Sequence, residues 1–168
     1  MKDNALILDP CCGGRMFYFD KYTKKVLFGD LREESFDFFS SGKHRHINIR
    51  PDMKMDVNNL PFKNGSFKMV VFDPPHIDKL AKDSYMKKAY STLPPNWHEF
   101  MRCAFFECWR ILDPSFGVLI FKWSDCSVSI SDFKDCFPDK PLFGTRLPKK
   151  EKTFWIVFVK GGDCGQHR

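Results

Sequence analysis

The stretch best suited to chemistry is Asp73-Pro74-Pro75-His76, which follows the apolar run Met69-Val70-Val71-Phe72. That run reads as a buried strand, so it delivers a carboxylate at a strand end, and the two prolines then restrict the backbone. The Asp73 carboxylate and the Pro74 carbonyl are a pair of fixed acceptors. Such a pair suits a planar amine, whose delocalised lone pair becomes nucleophilic only as the nitrogen turns pyramidal. Acceptors at its two hydrogens favour that geometry, and preorganised contacts of this kind are worth about 3 kcal/mol each. His76 adds a ring able to stack on a planar group.

Three other aspartates hold similar positions. Ala5-Leu6-Ile7-Leu8 stops at Asp9-Pro10, Lys25-Val26-Leu27-Phe28 at Gly29-Asp30, and Met53-Lys54-Met55 at Asp56. A turn or a cap accounts for any one of them. Four together point to a shared cleft, because open parallel sheets bind ligands beyond the carboxyl ends of their strands. Gly13-Gly14 supplies a turn directly after the first strand.

The elements that must position these residues follow from periodicity. The first four strands end at Asp9, Asp30, Asp56 and Asp73; Val118 to Trp123 is a fifth, and Pro141–Arg146 and Thr153–Val159 form a closing antiparallel hairpin. Short helices are expected over Arg15–Tyr22 and Leu31–Ser41, with 42–46 a polar, basic loop. Residues 78–95 are expected to form a lid with at most one helical turn. A longer helix starts at Asn96, with Asn96 as N-cap and Glu99 completing a capping box, and another lies around Ser129–Phe137. Leu147–Lys152 is expected as a basic loop and 161–168 as a frayed tail. The fold class is α/β, a mostly parallel seven-stranded sheet with helices on both faces.

Composition bounds the rest. With 168 residues, 43% hydrophobic, one domain spanning 1–168 is expected, with no room for a separate recognition domain. No apolar run approaches a membrane span and the start does not read as a signal peptide, so a soluble cytoplasmic protein is expected. The seven cysteines lack Cys-x-x-Cys spacing, and His44 and His46 lack a third ligand at useful spacing, so no metal site is expected. The net charge of +6 fits a polyanionic partner. Lys79, Lys87 and Lys88, interleaved with Tyr85 and Tyr90, have the composition of a platform for single-stranded nucleic acid; Trp123 ends the fifth strand on the same rim.

The pattern resembles the class I S-adenosylmethionine-dependent methyltransferases, and within them the enzymes that methylate exocyclic nucleobase amines. Leu8-Asp9-Pro10-Cys11-Cys12-Gly13-Gly14 is similar to their glycine-rich first motif, Gly29-Asp30 to the acidic position that holds the ribose, and Met55-Asp56-Val57 to the motif that holds the adenine. Asp73-Pro74-Pro75-His76 resembles their catalytic tetrad, with His76 where another aromatic ring is usual. The resemblance implies a Rossmann-like sandwich and S-adenosylmethionine held by Asp9, Pro10, Cys11, Gly13, Asp30, Asp56, Val57 and Phe72, with Arg15, at a position usually small, pairing with the cofactor carboxylate. It implies DNA or RNA as substrate, adenine ahead of cytosine; with no room for a recognition domain, either sequence specificity is low or a homodimer or recognition partner chooses the target. Methylation of a protein amide or small-molecule amine is the second reading; a non-catalytic cofactor-binding or inhibitor protein is the third.

Overall fold

Short apolar runs cut off by Asp, Gly and Pro can satisfy their backbone groups only by pairing with each other. The computed structural model describes residues 5–40, 42–79, 84–145 and 153–161. The strands are β1 (Ile7–Asp9), β2 (Val26–Asp30), β3 (Glu34–Ser40), β4 (Lys43–Ile49), β5 (Met53–Lys54), β6 (Met69–Phe72), β7 (Gly117–Ser124), β8 (Phe143–Gly144) and β9 (Thr153–Lys160). Helices α1 (Tyr85–Tyr90) and α2 (Trp97–Arg110) and a 3₁₀ segment, Ile130–Cys136, complete the described elements.

Seven strands form one sheet in the order β5-β2-β1-β6-β7-β9-β8. The first five in that order run parallel, and β9 lies antiparallel between β7 and β8. This is the α/β, mostly parallel architecture with a closing hairpin that the sequence implies. The chain builds outward from β1 through β2 to β5, then returns to the other side of β1 for β6 and β7. Such a reversal opens a crevice at the carboxyl ends of the two central strands, here β1 and β6.

The core lies between the sheet and α2. Met101, Ala104, Phe105 and Cys108 recur at helical spacing and are fully buried. Phe105 meets Phe72 of β6 and Phe121 of β7 edge-on, with ring centroids 5.3 and 4.9 Å away. Phe-to-Ala substitutions at such sites cost about 3–5 kcal/mol.

Several local expectations are corrected. Residues 15–22 form turns, because Arg15 takes a left-handed φ of 55° that a helix cannot accommodate. Residues 34–49 form the antiparallel pair β3–β4 in place of a helix and a loop. Phe36 and Phe38 alternate with Ser35 and Asp37, and on the partner strand Ile47 and Ile49 alternate with His46 and Asn48, a period of two that governs once the strands pair. Ile47, Ile49 and Phe36 pack on Ala89, Tyr85 and Tyr90 of α1, so this arm braces that helix.

Asn96 makes no side-chain cap, and Glu99 binds Arg102 instead. The capping box occurs at Ser129 and Asp132, and Phe133 (φ −139°) breaks the segment that follows. The sixth strand shrinks to Phe143–Gly144. The expected basic loop 147–152 and most of the expected tail, 162–168, lie outside the described residues. Among the described residues, no helix is long and apolar enough to cross a membrane.

Candidate active site

β1 ends at Asp9, which is fully buried. Its carboxylate accepts hydrogen bonds from the Tyr18 hydroxyl at 3.0 Å and the Cys11 amide at 3.1 Å. Burial pushes the Asp9 carboxyl up to about 8, against those two hydrogen bonds and with added repulsion from Asp73 and Asp30. Gly13 follows at φ 47°, a conformation that costs a side chain energy, and its amide donates to Asp30 Oδ2 at 2.9 Å. The glycine turn is thus tied to the end of β2. Asp30 Oδ1 accepts from the Arg32 amide (2.9 Å) and Nε (3.3 Å), and Arg32 Nη1 donates to the Lys88 carbonyl in α1 at 3.0 Å.

β6 delivers Asp73. The β6–β7 register pairs Phe72 with Phe121, which sets Asp73 beside Lys122. Lys122 Nζ donates to Asp73 Oδ2 at 2.7 Å, and among the described residues Oδ1 has no hydrogen-bond partner. Burial holds the Asp73 carboxyl above its ordinary value, while the Lys122 charge and hydrogen bond pull it down. Burial also lowers the pKa of His76, with Asp73 and the Pro74 carbonyl opposing and Lys122 reinforcing, so the ring is neutral at pH 7. The buried His76 Nδ1 has no hydrogen-bond partner among the described residues, and the ring meets Trp123 edge-on at 6.1 Å.

A cavity of about 550 Å³ brings these groups together. Pro10, Cys11, Gly13, Asp30, Asp56 and Val57 line it from the β1, β2 and β5 side of the sequence. Asp73, Pro74, Pro75 and His76 line it as well. Asp56 Oδ1 accepts from the Asn58 amide at 2.9 Å, a local turn in which Asn58 Oδ1 is buried in the cavity wall with no partner among the described residues.

Other expected residues stand elsewhere. Asp9 and Phe72 are fully buried and do not line the cavity. Arg15 does not reach it: its guanidinium donates to the Lys21 and Arg50 carbonyls at 2.6 Å each and stacks 3.9 Å over Phe28. Trp123 is a core residue, with Nε1 donating to the Val128 carbonyl at 3.1 Å. Tyr85 packs on the β3–β4 arm beneath Arg45, and the Lys88 ammonium lies over Phe36 and Phe38, so these two are part of a brace and do not line this cavity. Lys87 lies in the last turn of α1 and Lys79 is exposed; neither lines the cavity.

Lys122, Arg32, Asn58 and Phe100 are lining residues that the sequence does not single out for the site, and Tyr90, expected in the nucleic-acid platform, lines the cavity as well. Lys122 carried a signal, a lone cation closing the apolar run of the fifth strand, but only the register shows its partner. Ser91 also lines the cavity, at φ 66°, where the chain turns sharply out of α1. Strain of this kind collects at functional sites. No protein-family model matches the chain, and none of the curated proteins is significantly similar to it.

Proposed function

We propose that the protein is a Rossmann-like, S-adenosylmethionine-dependent methyltransferase acting on an exocyclic nucleobase amine, adenine ahead of cytosine, in DNA or RNA. The observation that carries this reading is Asp73. One of its oxygens is anchored by Lys122 and the other is unpartnered, next to Pro74 and His76, in a cavity that Gly13, Asp30 and Asn58 also line.

The donor is supported by the chemistry of that lining. Its volume lies within the roughly 300–1,000 Å³ of small-molecule sites. A buried acceptor without a partner costs about 1–3 kcal/mol, and an adenine amine would satisfy Asn58 Oδ1. Asp30 and Asp56 are acceptors for ribose hydroxyls and adenine, Val57 and Met55 are apolar walls, and the Gly13 turn admits close backbone approach. When bound, S-adenosylmethionine supplies an electrophilic methyl group.

Asp73 Oδ1 and the Pro74 carbonyl would accept the two hydrogens of the incoming amine and turn its lone pair toward that methyl. Lys122 fixes the carboxylate so that it need not reorganise. His76, neutral, offers its ring for stacking and Nδ1 for an edge contact. The amine proton passes to solvent water after transfer. The net charge of +6 favours a nucleic acid, and a homodimer or a recognition partner would supply target choice in the cytoplasm.

Calorimetry with S-adenosylmethionine, followed by transfer of a labelled methyl group to DNA, RNA and protein extract in separate reactions, tests this. Binding with label recovered on a nucleobase amine, located by base-resolved mass spectrometry, is expected. Absence of cofactor binding rejects the proposal. Label in protein alone substitutes an amide for the nucleobase, and binding without transfer to any polymer makes the protein a non-catalytic binder.

A further inference from the structure

Three side chains from two elements converge outside that cavity. His98 is the second residue of α2, and Asp135 and Cys136 close the 3₁₀ segment. His98 Nε2 lies 2.9 Å from Asp135 Oδ2 and 3.7 Å from Cys136 Sγ, and all three atoms lie within 4.8 Å of one another. Around a tetrahedral zinc ion, with bonds of about 2.0 Å to nitrogen and oxygen and about 2.3 Å to sulfur, ligand atoms sit roughly 3.3–3.6 Å apart. The two His98 separations lie within an ångström of those values, and the Asp135–Cys136 separation is at most 4.8 Å.

A surface ion pair accounts for His98 and Asp135, but it leaves the thiol unexplained. Cys136 is buried, yet its Sγ turns to the same imidazole nitrogen and, at 3.6 Å, to the His98 carbonyl. The Trp97 ring lies edge-on to His98 at 5.5 Å and to Phe133 of the 3₁₀ segment at 6.3 Å, so packing from both elements orients the imidazole. His98 and Asp135 are exposed, which gives an ion an entry path and leaves a fourth position for water. Arg102 is the cation whose charge reaches the thiol; Glu99 holds its guanidinium through contacts of 2.7 to 3.1 Å and offsets that charge.

We propose that His98, Asp135 and Cys136 bind a zinc ion that clamps the start of α2 to the 3₁₀ segment. Mixed nitrogen, oxygen and sulfur donors suit zinc and not magnesium or calcium, which prefer oxygen alone. Zinc binding displaces the Cys136 thiol proton to solvent. Phe100, two residues beyond His98, lines the cavity, so the clamp also steadies one of its walls.

The full chain is titrated with Zn²⁺ in chelator-buffered solution, and with Co²⁺ as a spectroscopic stand-in. The expected result is one Zn²⁺ per chain with a Kd below about 10 μM, a sulfur-to-cobalt charge-transfer band and a raised Tm. Excess Mg²⁺ does not compete. His98→Ala and Asp135→Asn, both at exposed positions, weaken Zn²⁺ more than about 10-fold; Cys136→Ser removes the band, and Cys126→Ser changes neither. Weaker binding by the wild-type chain, or unchanged affinity in His98→Ala and Asp135→Asn, overturns the proposal. Those two variants decide the matter even if Cys136→Ser fails to fold.

Discussion

Asp9 ends β1 and Asp73 follows β6, the strand paired beside it, yet the two carboxylates do different things. Both of Asp9's oxygens are hydrogen-bonded, to Tyr18 and to the Cys11 amide, and no part of the residue reaches solvent. Asp73 has one oxygen held by Lys122 and stands in the cavity wall. The local pattern, an apolar run closed by Asp-Pro, is shared. The neighbours decide: a tyrosine hydroxyl and a tight turn make Asp9 a buried strut, whereas a lysine on the adjoining strand fixes one oxygen of Asp73 and leaves the other without a hydrogen-bond partner among the described residues.

The comparison can be broken most sharply through pH. Asp9 holds its proton up to about pH 8 in the folded state and loses it near 3.9 when unfolded. The folded chain therefore binds the extra proton between those values, and stability falls as pH rises from about 4 to 8, by up to about 1.4 kcal/mol per unit, then flattens. Asp9→Asn removes that component; urea midpoints at pH 5 and pH 7.5 for the two proteins measure it. An unchanged slope in the variant would mean that Asp9 is not the buried acid described above.

The next largest effect belongs to Asp73. Asp73→Ala is expected to slow methyl transfer about 100- to 1,000-fold while leaving S-adenosylmethionine affinity by calorimetry unchanged. A normal rate would remove the distinction between the two aspartates. Lys122→Met tests the anchor: a charged hydrogen bond worth about 1.5–3 kcal/mol is lost, so transfer slows roughly 10-fold or more. Because Lys122 holds the Asp73 pKa down, the acid limb of the kcat profile moves to higher pH, whereas a purely structural role would leave it in place. Asp56→Ala, at an exposed lining position, is the mildest, with cofactor affinity down about 10-fold or less and kcat at saturation unchanged.

The parallel strands and the acidic positions at their ends were legible because each depends on a few contiguous residues. A run such as Met69–Phe72 is too short and too apolar for an exposed helix, and Asp-Pro ends it. The β3–β4 arm is not legible because Phe36-Asp37-Phe38-Phe39 shows no clear period until Ile47 pairs opposite Phe36. Trp123 and Asp9 were placed at the cavity because sequence gives the end of a strand but not the face its side chain takes. The cluster of His98 with Asp135 and Cys136 was illegible for a related reason: 37 positions separate His98 from Asp135, and a spacing rule sees only ligands close in the chain.

By itself, the sequence determined the period of the strands, the glycine turn after the first of them and the aspartates that close four apolar runs, since these are local matters of sterics and burial. Only the tertiary structure decided which of those carboxylates is buried and which meets the cavity. It did so through the parallel register of β6 with β7, which brings Lys122 to Asp73 from 49 residues away and turns a strand end into an anchored acceptor. Side-chain partners across a sheet depend on strand order and register, and those follow from packing the whole chain.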